Sequence, residues 1–125
     1  MSNDPRPPVA VGHVRINVGD VAAAARWLVT VGLRPIVTRE ELAVLELRGG
    51  THVVVRKTEP APQPGTPAPF DLMVDDVDAT HRDYAEKGLK PSEIRRGRIH
   101  DSFDLVGPDG YAFIVNSTHA SGAPI

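Results

Sequence analysis

The segment Val14-Arg-Ile-Asn-Val-Gly-Asp-Val21 returns 56 residues later as Phe70-Asp-Leu-Met-Val-Asp-Asp-Val77, and this repeat decides the fold. Apolar residues coincide at alternate positions, and both segments close on Asp-Val. Two further pairs of segments continue the match, the second of them at an offset of 60: Gly32-Leu-Arg-Pro35 with Gly88-Leu-Lys-Pro91, and Gly50-Thr-His-Val-Val-Val55 with Gly110-Tyr-Ala-Phe-Ile-Val115. Two copies of one supersecondary unit predict a sheet built twice, with a site between the halves.

Each copy carries the pattern of a strand, a helix and three strands. In the first copy, residues 11–18 alternate with the period of a half-buried strand. Asp20 is a good helix N-cap, and Gly32 is a typical residue to end the helix. The predicted elements are strands 11–18, 35–38, 42–47 and 52–57 around helix 21–31, then strands 70–74 and near 91–95, helix 77–87 and a hairpin over 99–116.

The chain length predicts a single domain over residues 1–125. Within it we expect module one over about 9–58 and module two over 70–119. The intervening segment 59–69 contains five prolines, which predicts an extended linker.

The composition of the chain limits the classes of partner and of site that we expect. A formal net charge of -2 gives no reason to expect binding to nucleic acid or to an acidic membrane surface. Without cysteine, the chain has no disulfide, thiolate zinc site or thiol nucleophile. No apolar stretch approaches the roughly 18 residues of a spanning helix, so a soluble, cytoplasmic protein is expected.

Strand alternation gathers one polar set on the sheet face away from the predicted helices. A three-residue turn at residues 48–50 would pair Leu45 with Val53 and Glu46 with His52, which avoids burying the carboxylate. The competing interpretation is an ordinary solvent-facing side of a sheet. Lysine and glutamate usually cover a surface that binds nothing. The predicted face instead carries three histidines and two arginines, which favours a ligand site. The set comprises His13, Arg15, Asn17, Glu46, His52, Arg56, Asp71, His100, Ser102, Asp104 and Asn116.

From about residue 11 to residue 116, the chain resembles the vicinal oxygen chelate superfamily of glyoxalases, bleomycin resistance proteins and extradiol dioxygenases. The matching segments are Gly12-His-Val-Arg-Ile-Asn-Val-Gly-Asp-Val21, Phe70-Asp-Leu-Met-Val-Asp-Asp-Val-Asp78 and Gly107-Pro-Asp-Gly110. The resemblance implies an α+β fold in which two tandem βαβββ modules form an incomplete, cup-shaped barrel with the helices outside. It also implies a ligand in the concave face, often with a divalent metal, and a homodimer.

The family's metal-ligand positions are largely lost. His13 occupies one of them, whereas Pro69, Val54 and Ile114 occupy the other three. One alternative is a cup that binds its ligand without metal. The other is a replacement set of His13, Glu46 and His52, which would suit Fe(II), Mn(II) or Zn(II). A second candidate cluster is His100, Asp104 and Asp71, although Asp104 could instead pair with an arginine.

Several remaining side chains have simpler interpretations. Asp76 is expected to cap the second helix. Trp27 and Tyr84 lie within the predicted helices and are expected to pack in the core. We expect His81 and His119 at the surface.

Two functional hypotheses follow. The first is an enzyme that binds a small polar, anionic organic substrate and, by resemblance, acts as a lyase, isomerase, hydrolase or dioxygenase. Its catalytic residues would be His13, His52 and His100, and its ligand-binding residues Arg15, Asn17, Arg56, Asp71, Ser102, Asp104 and Asn116. The alternative is a non-catalytic protein that sequesters an antibiotic or toxin without metal. Aromatic residues form only 5% of the chain, which disfavours the gripping of large aromatic drugs.

Overall fold

A computed structural model describes residues 3–118 of the chain. The first half contains β1 (His13–Val18), α1 (Val21–Val31), β2 (Arg34–Thr38), β3 (Leu42–Glu46) and β4 (His52–Lys57). The second contains β5 (Leu72–Val74), α2 (Val77–Glu86), β6 (Ser102–Val106) and β7 (Ala112–Ser117). His119, predicted at the surface, lies outside the described residues.

The strands form two separate sheets. The first has the order β1-β4-β3-β2, and the second has the order β5-β7-β6. The first strand of each half runs parallel to the last strand of the same half, while the hairpins are antiparallel. The two sheets do not join into a closed barrel, so the predicted open α+β cup is confirmed.

The predicted hairpin register is confirmed. Leu45 lies opposite Val53, and Glu46 lies opposite His52. The connection is a short 3-10 turn at Arg48–Gly50, in which Gly49 and Gly50 have φ angles of 86° and 89°. Glycine adopts such positive φ angles without steric cost, which permits the turn that keeps the Glu46 carboxylate out of the core.

The predicted strand near 91–95 does not form a regular ladder. Its one bridge joins Arg95 to Ser102. Further along, the N–H of Asp104 donates to the hydroxyl of Ser92 (2.8 Å) instead of to a backbone carbonyl. Because a serine side chain can replace a ladder partner in this way, the segment covers the edge of β6 without continuing the sheet.

Both predicted helix caps are confirmed. The Asp20 carboxylate accepts a hydrogen bond from the N–H of Ala23 (3.0 Å), and Asp76 accepts one from Ala79 (2.9 Å). Gly32, at φ 124°, follows α1 and ends it. These caps satisfy N–H groups that the first helical turn leaves without partners.

Aromatic residues join the two halves in one hydrophobic core. Trp27 of α1 packs on Phe113 of β7 with 4.8 Å between ring centroids, and Phe70 meets the same ring at 5.5 Å. The hydroxyl of Tyr84 donates to the Val31 carbonyl across the halves (2.6 Å). The single Trp, both Tyr and all three Phe are buried in this core or packed against it. The core role predicted for Trp27 and Tyr84 is therefore correct.

His81 is not at the surface as predicted. Its ring is half-buried, lies edge-on to Phe103 at 5.1 Å and places Nε2 2.8 Å from the Ser92 carbonyl oxygen. The helical pattern alone could not reveal this, because the partner carbonyl lies in the irregular segment after α2.

Within residues 3–118 no helix is long and apolar enough to cross a membrane.

Tyr84, at the junction of the halves, makes the free energy of unfolding depend on pH in the alkaline range. Burial, assisted by the charge of Asp83, raises the pKa of Tyr84 from 10.0 to about 12. The stability that depends on the neutral phenol is thus complete below pH 10.0 and is lost as the pH rises through about 12. Replacing Tyr84 by Phe should cost about 1 kcal/mol at neutral pH and remove this alkaline loss. Parallel plots of unfolding free energy against pH for both proteins would contradict the assignment.

Candidate functional site

The face of the first sheet that points away from α1, called here the first open face, is built in rows across the strands. The first row runs through β1, β4, β3 and β2 and consists of His13, His52, Glu46 and Arg34. Each is the direct cross-strand partner of the next. Direct partners in a sheet have Cβ atoms about 4.5–5.5 Å apart, so the row forms a continuous line of side chains.

Contacts follow this row from end to end. The rings of His13 and His52 are stacked, with centroids 5.6 Å apart and planes at 28°. Nε2 of His52 lies 3.5 Å from Oε2 of Glu46, and the other carboxylate oxygen, Oε1, pairs with Nη2 of Arg34. The Glu46 side chain is only 22% exposed. A partly buried carboxylate thus lies between a guanidinium and an imidazole.

The next rows combine an apolar strip with two cations. Val54 and Val44 form the strip, with Arg15 beside Val54 and Asn17 beside Arg56. Arg15 and Arg56 are exposed, and neither forms an ion pair with any residue in the part of the chain that the structure describes. Diagonal neighbours in a sheet lie about 7–8 Å apart, which lets both guanidinium groups reach one small anion.

The corresponding face of the second sheet, the second open face, holds its polar side chains in internal pairs. Asn116 donates to Oδ2 of Asp71 (2.9 Å). Asp104 accepts two hydrogen bonds from Arg95 (2.8 and 2.9 Å), and Arg95 also donates to Ser102 Oγ (3.3 Å). Arg95 was not among the predicted site residues. The sequence offered one indication of this contact, because Asp104 was expected either to join a metal cluster or to pair with an arginine.

Exposed apolar side chains accompany these pairs. Met73 and Ile114 are each 43% exposed, and Val106 at the end of β6 is 72% exposed. All three alternate with buried neighbours along their strands, so they belong to the second open face. This face therefore offers apolar surface, whereas the first open face offers unpaired positive charge.

The structure brings the predicted site residues together in two groups. His13, His52 and Glu46 meet on the first sheet, and Asp71 meets Asn116 on the second. The contacts that join the halves lie elsewhere, as between Trp27 and Phe113. Nδ1 of half-buried His100 lies 2.7 Å from the Ser117 carbonyl oxygen, at the end of β7.

Two hollows of the described surface lie outside the first open face. A groove of about 460 Å³ between α1 and β2 is lined mainly by apolar residues such as Ala25, Val29 and Pro35. A cleft of about 250 Å³ lies where the halves meet, beside the ion pair between Arg48 and Asp75 (2.9 Å). Neither contains a residue of the predicted ligand-binding set.

The residues present do not fit the metal expected from the resemblance. Within residues 3–118, no group of three or more His, Asp or Glu side chains is arranged to hold a metal ion. Glu46 is already engaged by Arg34. The assignment of His13, Glu46 and His52 to a metal stays a prediction, and no chemical step is derived through it.

Comparisons of sequence find no relative. No protein-family model matches the chain, and no curated protein matches it. At 17–23% identity to the solved structures below, likeness in structure establishes the fold alone.

Solved structures match the fold over almost the whole chain. A glyoxalase/bleomycin resistance protein/dioxygenase from Alicyclobacillus acidocaldarius gives a TM-score of 0.73 at 17% identity, covering 96% of this chain and 99% of its own. The lactoylglutathione lyase from Agrobacterium tumefaciens gives 0.72 at 18%, covering 90% and 96%. A possible glyoxalase from Bacillus cereus gives 0.68 at 23%, covering 86% and 97%. The chain has the fold of the vicinal oxygen chelate superfamily.

Proposed function

We propose that this protein binds a small polar organic anion on the first open face. The observation that carries the proposal is the pair of exposed arginines, Arg15 and Arg56, which have no ion-pair partner within residues 3–118. Arginine binds carboxylate and phosphate through paired N–H groups, and such charge-assisted hydrogen bonds are about twice as strong as neutral ones.

The neighbouring residues define the ligand further. Val54 and Val44 offer a short apolar strip, which suits a small carbon skeleton, and Asn17 offers an amide beside Arg56. His13 and His52 border the same strip, and imidazole is a side chain that can accept or donate a proton. The ligand is thus a compact organic acid with a polar group that reaches the histidines.

Catalysis on this ligand is the extension that the fold supports. One structural neighbour carries the name of a lyase, and another the composite name glyoxalase/bleomycin resistance protein/dioxygenase. For this chain we propose proton transfer by histidine as the chemistry available to its own side chains. A metal-assisted version would require Glu46 to give up its ion pair with Arg34.

We also propose that a second copy of the chain completes the cup. The first open face is positively charged, while the second exposes Met73 and Ile114 together with Asp71. A second copy that covers Met73 and Ile114 would remove their apolar surface from water, which favours association. Light scattering should give the mass of two chains, and a Met73→Lys variant, which places a positive charge against the positively charged first open face, should shift that mass toward one chain. A wild-type mass of one chain would contradict the dimer.

Sequestration of a drug-like molecule is the second candidate. The exposed Met73, Val106 and Ile114 favour it, because apolar surface binds apolar ligands. Stacking residues are missing from the open faces within residues 3–118, since the Phe, Tyr and Trp rings belong to the core. We therefore prefer a small acid to a large aromatic ligand.

The proposal is tested with acids and their uncharged counterparts. Thermal unfolding and calorimetry would be compared for succinate against succinamide, benzoate against benzamide, and inorganic phosphate. We expect at least one anion to stabilise the protein, by about 2.7 kcal/mol at 100 times its Kd, with no effect from the matched amide. Equal effects of acid and amide, or binding of large aromatic compounds alone, would overturn the proposal.

A further inference from the structure

We infer that Arg34 and Glu46 act as a positioning pair that fixes the tautomer of His52 and leaves its Nδ1 free of a proton. The inference deepens the proposed function and rests on it for the purpose of the histidine, which is proton transfer at the anion site. Arg34 was absent from the residues predicted from sequence.

The geometry assigns each oxygen of Glu46 a separate task. Oε1 pairs with the guanidinium of Arg34, and Oε2 lies 3.5 Å from Nε2 of His52. A neutral imidazole carries one N–H, and a nearby carboxylate favours that proton on the nitrogen facing it. The proton of His52 therefore resides on Nε2, and Nδ1 is the nitrogen that can accept one.

The ion pair with Arg34 fixes the orientation of the Glu46 carboxylate toward His52. Glu46 is the direct cross-strand partner of both Arg34 and His52. A carboxylate held on one side by a guanidinium has fewer rotamers available, so its second oxygen stays toward the imidazole. The Arg34 side chain is itself 72% exposed at the edge strand, which makes a purely packing role small.

His52 differs from the histidines that the fold uses elsewhere. Ring nitrogens of His81 and His100 lie 2.8 and 2.7 Å from the backbone carbonyl oxygens of Ser92 and Ser117. His52 instead combines a carboxylate with the neighbouring unpaired guanidinium of Arg15. A base oriented by a third group is the usual arrangement for activating proton transfer.

The proton transfer balances without any further reactant. A proton leaves an acidic O–H or C–H of the bound anion and forms an N–H bond at Nδ1 of His52. The electron pair of the broken bond stays on the ligand. The resulting imidazolium lies beside the Glu46 carboxylate, which stabilises its charge.

The test is the tautomer itself, read from ¹⁵N chemical shifts of the histidine side chains. Spectra would be recorded without ligand over a pH series, and the ratio would be read on the alkaline side, where the ¹⁵N shifts no longer change with pH. We call the ratio of the Nε2–H form to the Nδ1–H form the tautomer ratio. In the wild type we expect this ratio to be higher for His52 than for free histidine. Glu46→Ala should lower the tautomer ratio roughly two- to fivefold, the range of a weak, partly exposed ion pair, and Arg34→Met should lower it less.

Controls separate positioning from structural damage. Arg34→Lys keeps the positive charge and should retain most of the wild-type ratio, and Arg39→Met, in the β2–β3 turn, should leave it unchanged. An identical ratio in the wild type and Glu46→Ala would overturn the inference, as would an equal change in Arg39→Met. Anion binding is measured separately, so a tautomer change in a protein that binds none of the acids would refute the proposed function alone.

Discussion

Replacing Arg15 and Arg56 together by glutamine is expected to abolish measurable binding of small carboxylates. A hydrogen bond to a charged group contributes about 1.5–3 kcal/mol, so losing two guanidinium partners should weaken binding about 100-fold or more. Each single replacement should weaken it about tenfold. Calorimetric titration with the acid identified from the panel measures all three variants.

The control for this experiment is an arginine outside the open faces. Arg39 lies between β2 and β3 and is exposed like Arg15 and Arg56. Arg39→Gln removes the same charge from the molecule and should leave the affinity within about twofold, since distant surface charges are screened by salt. Wild-type affinity in the double variant, or an equal loss in Arg39→Gln, would place the ligand elsewhere.

Truncating Phe113 to alanine is expected to produce the largest loss of stability. The ring is fully buried and contacts the rings of Trp27 and Phe70, so it links α1 to the second sheet. Phe→Ala changes in cores cost about 3–5 kcal/mol because they lose apolar burial and leave a cavity. Both halves share this core, so we expect them to unfold together.

Urea unfolding followed by Trp27 fluorescence and by circular dichroism tests this expectation. Coincident curves that shift together to lower urea would agree with a shared core. Val106→Ala is the matched control, because Val106 is 72% exposed and its truncation should change stability by less than about 0.5 kcal/mol. A loss below about 1 kcal/mol in Phe113→Ala, or separate transitions for the two probes, would show that the halves do not depend on this ring.

Local rules were enough to predict most of the fold. Asp20 and Asp76 cap the helices because their carboxylates reach N–H groups three residues ahead, and that spacing is visible in the sequence. The register of Leu45 with Val53 followed from the cost of burying Glu46. The repeat then predicted the helix and the strands of the second half, except for the segment near 91–95.

Long-range side-chain contacts could not be predicted in the same way. The repeat predicts a strand near 91–95, but the Ser92 hydroxyl takes the place of a backbone partner. His81 turns inward because a carbonyl from that same segment meets its ring. Both outcomes depend on where a loop runs, which periodicity does not specify.

The sequence predicted which residues share the candidate site, but it did not predict which side chains form ion pairs with one another. Alternation along β1 and β4 assigned His13, Arg15 and Arg56 to one face. It did not reveal that Arg34 engages Glu46 or that Arg95 engages Asp104, because long side chains choose among several partners within reach. Which charges remain unpaired, and so free for a ligand, follows only from the coordinates.

The central claim is that an organic anion binds on the first open face. Its most direct test is a nuclear magnetic resonance titration that follows backbone amides and arginine Nε–H groups as the acid is added. We expect saturable shifts centred on Arg15, Arg56 and their neighbours in β1 and β4. Shifts confined to the groove between α1 and β2, near Val29 and Pro35, or no shifts with any acid, would contradict it.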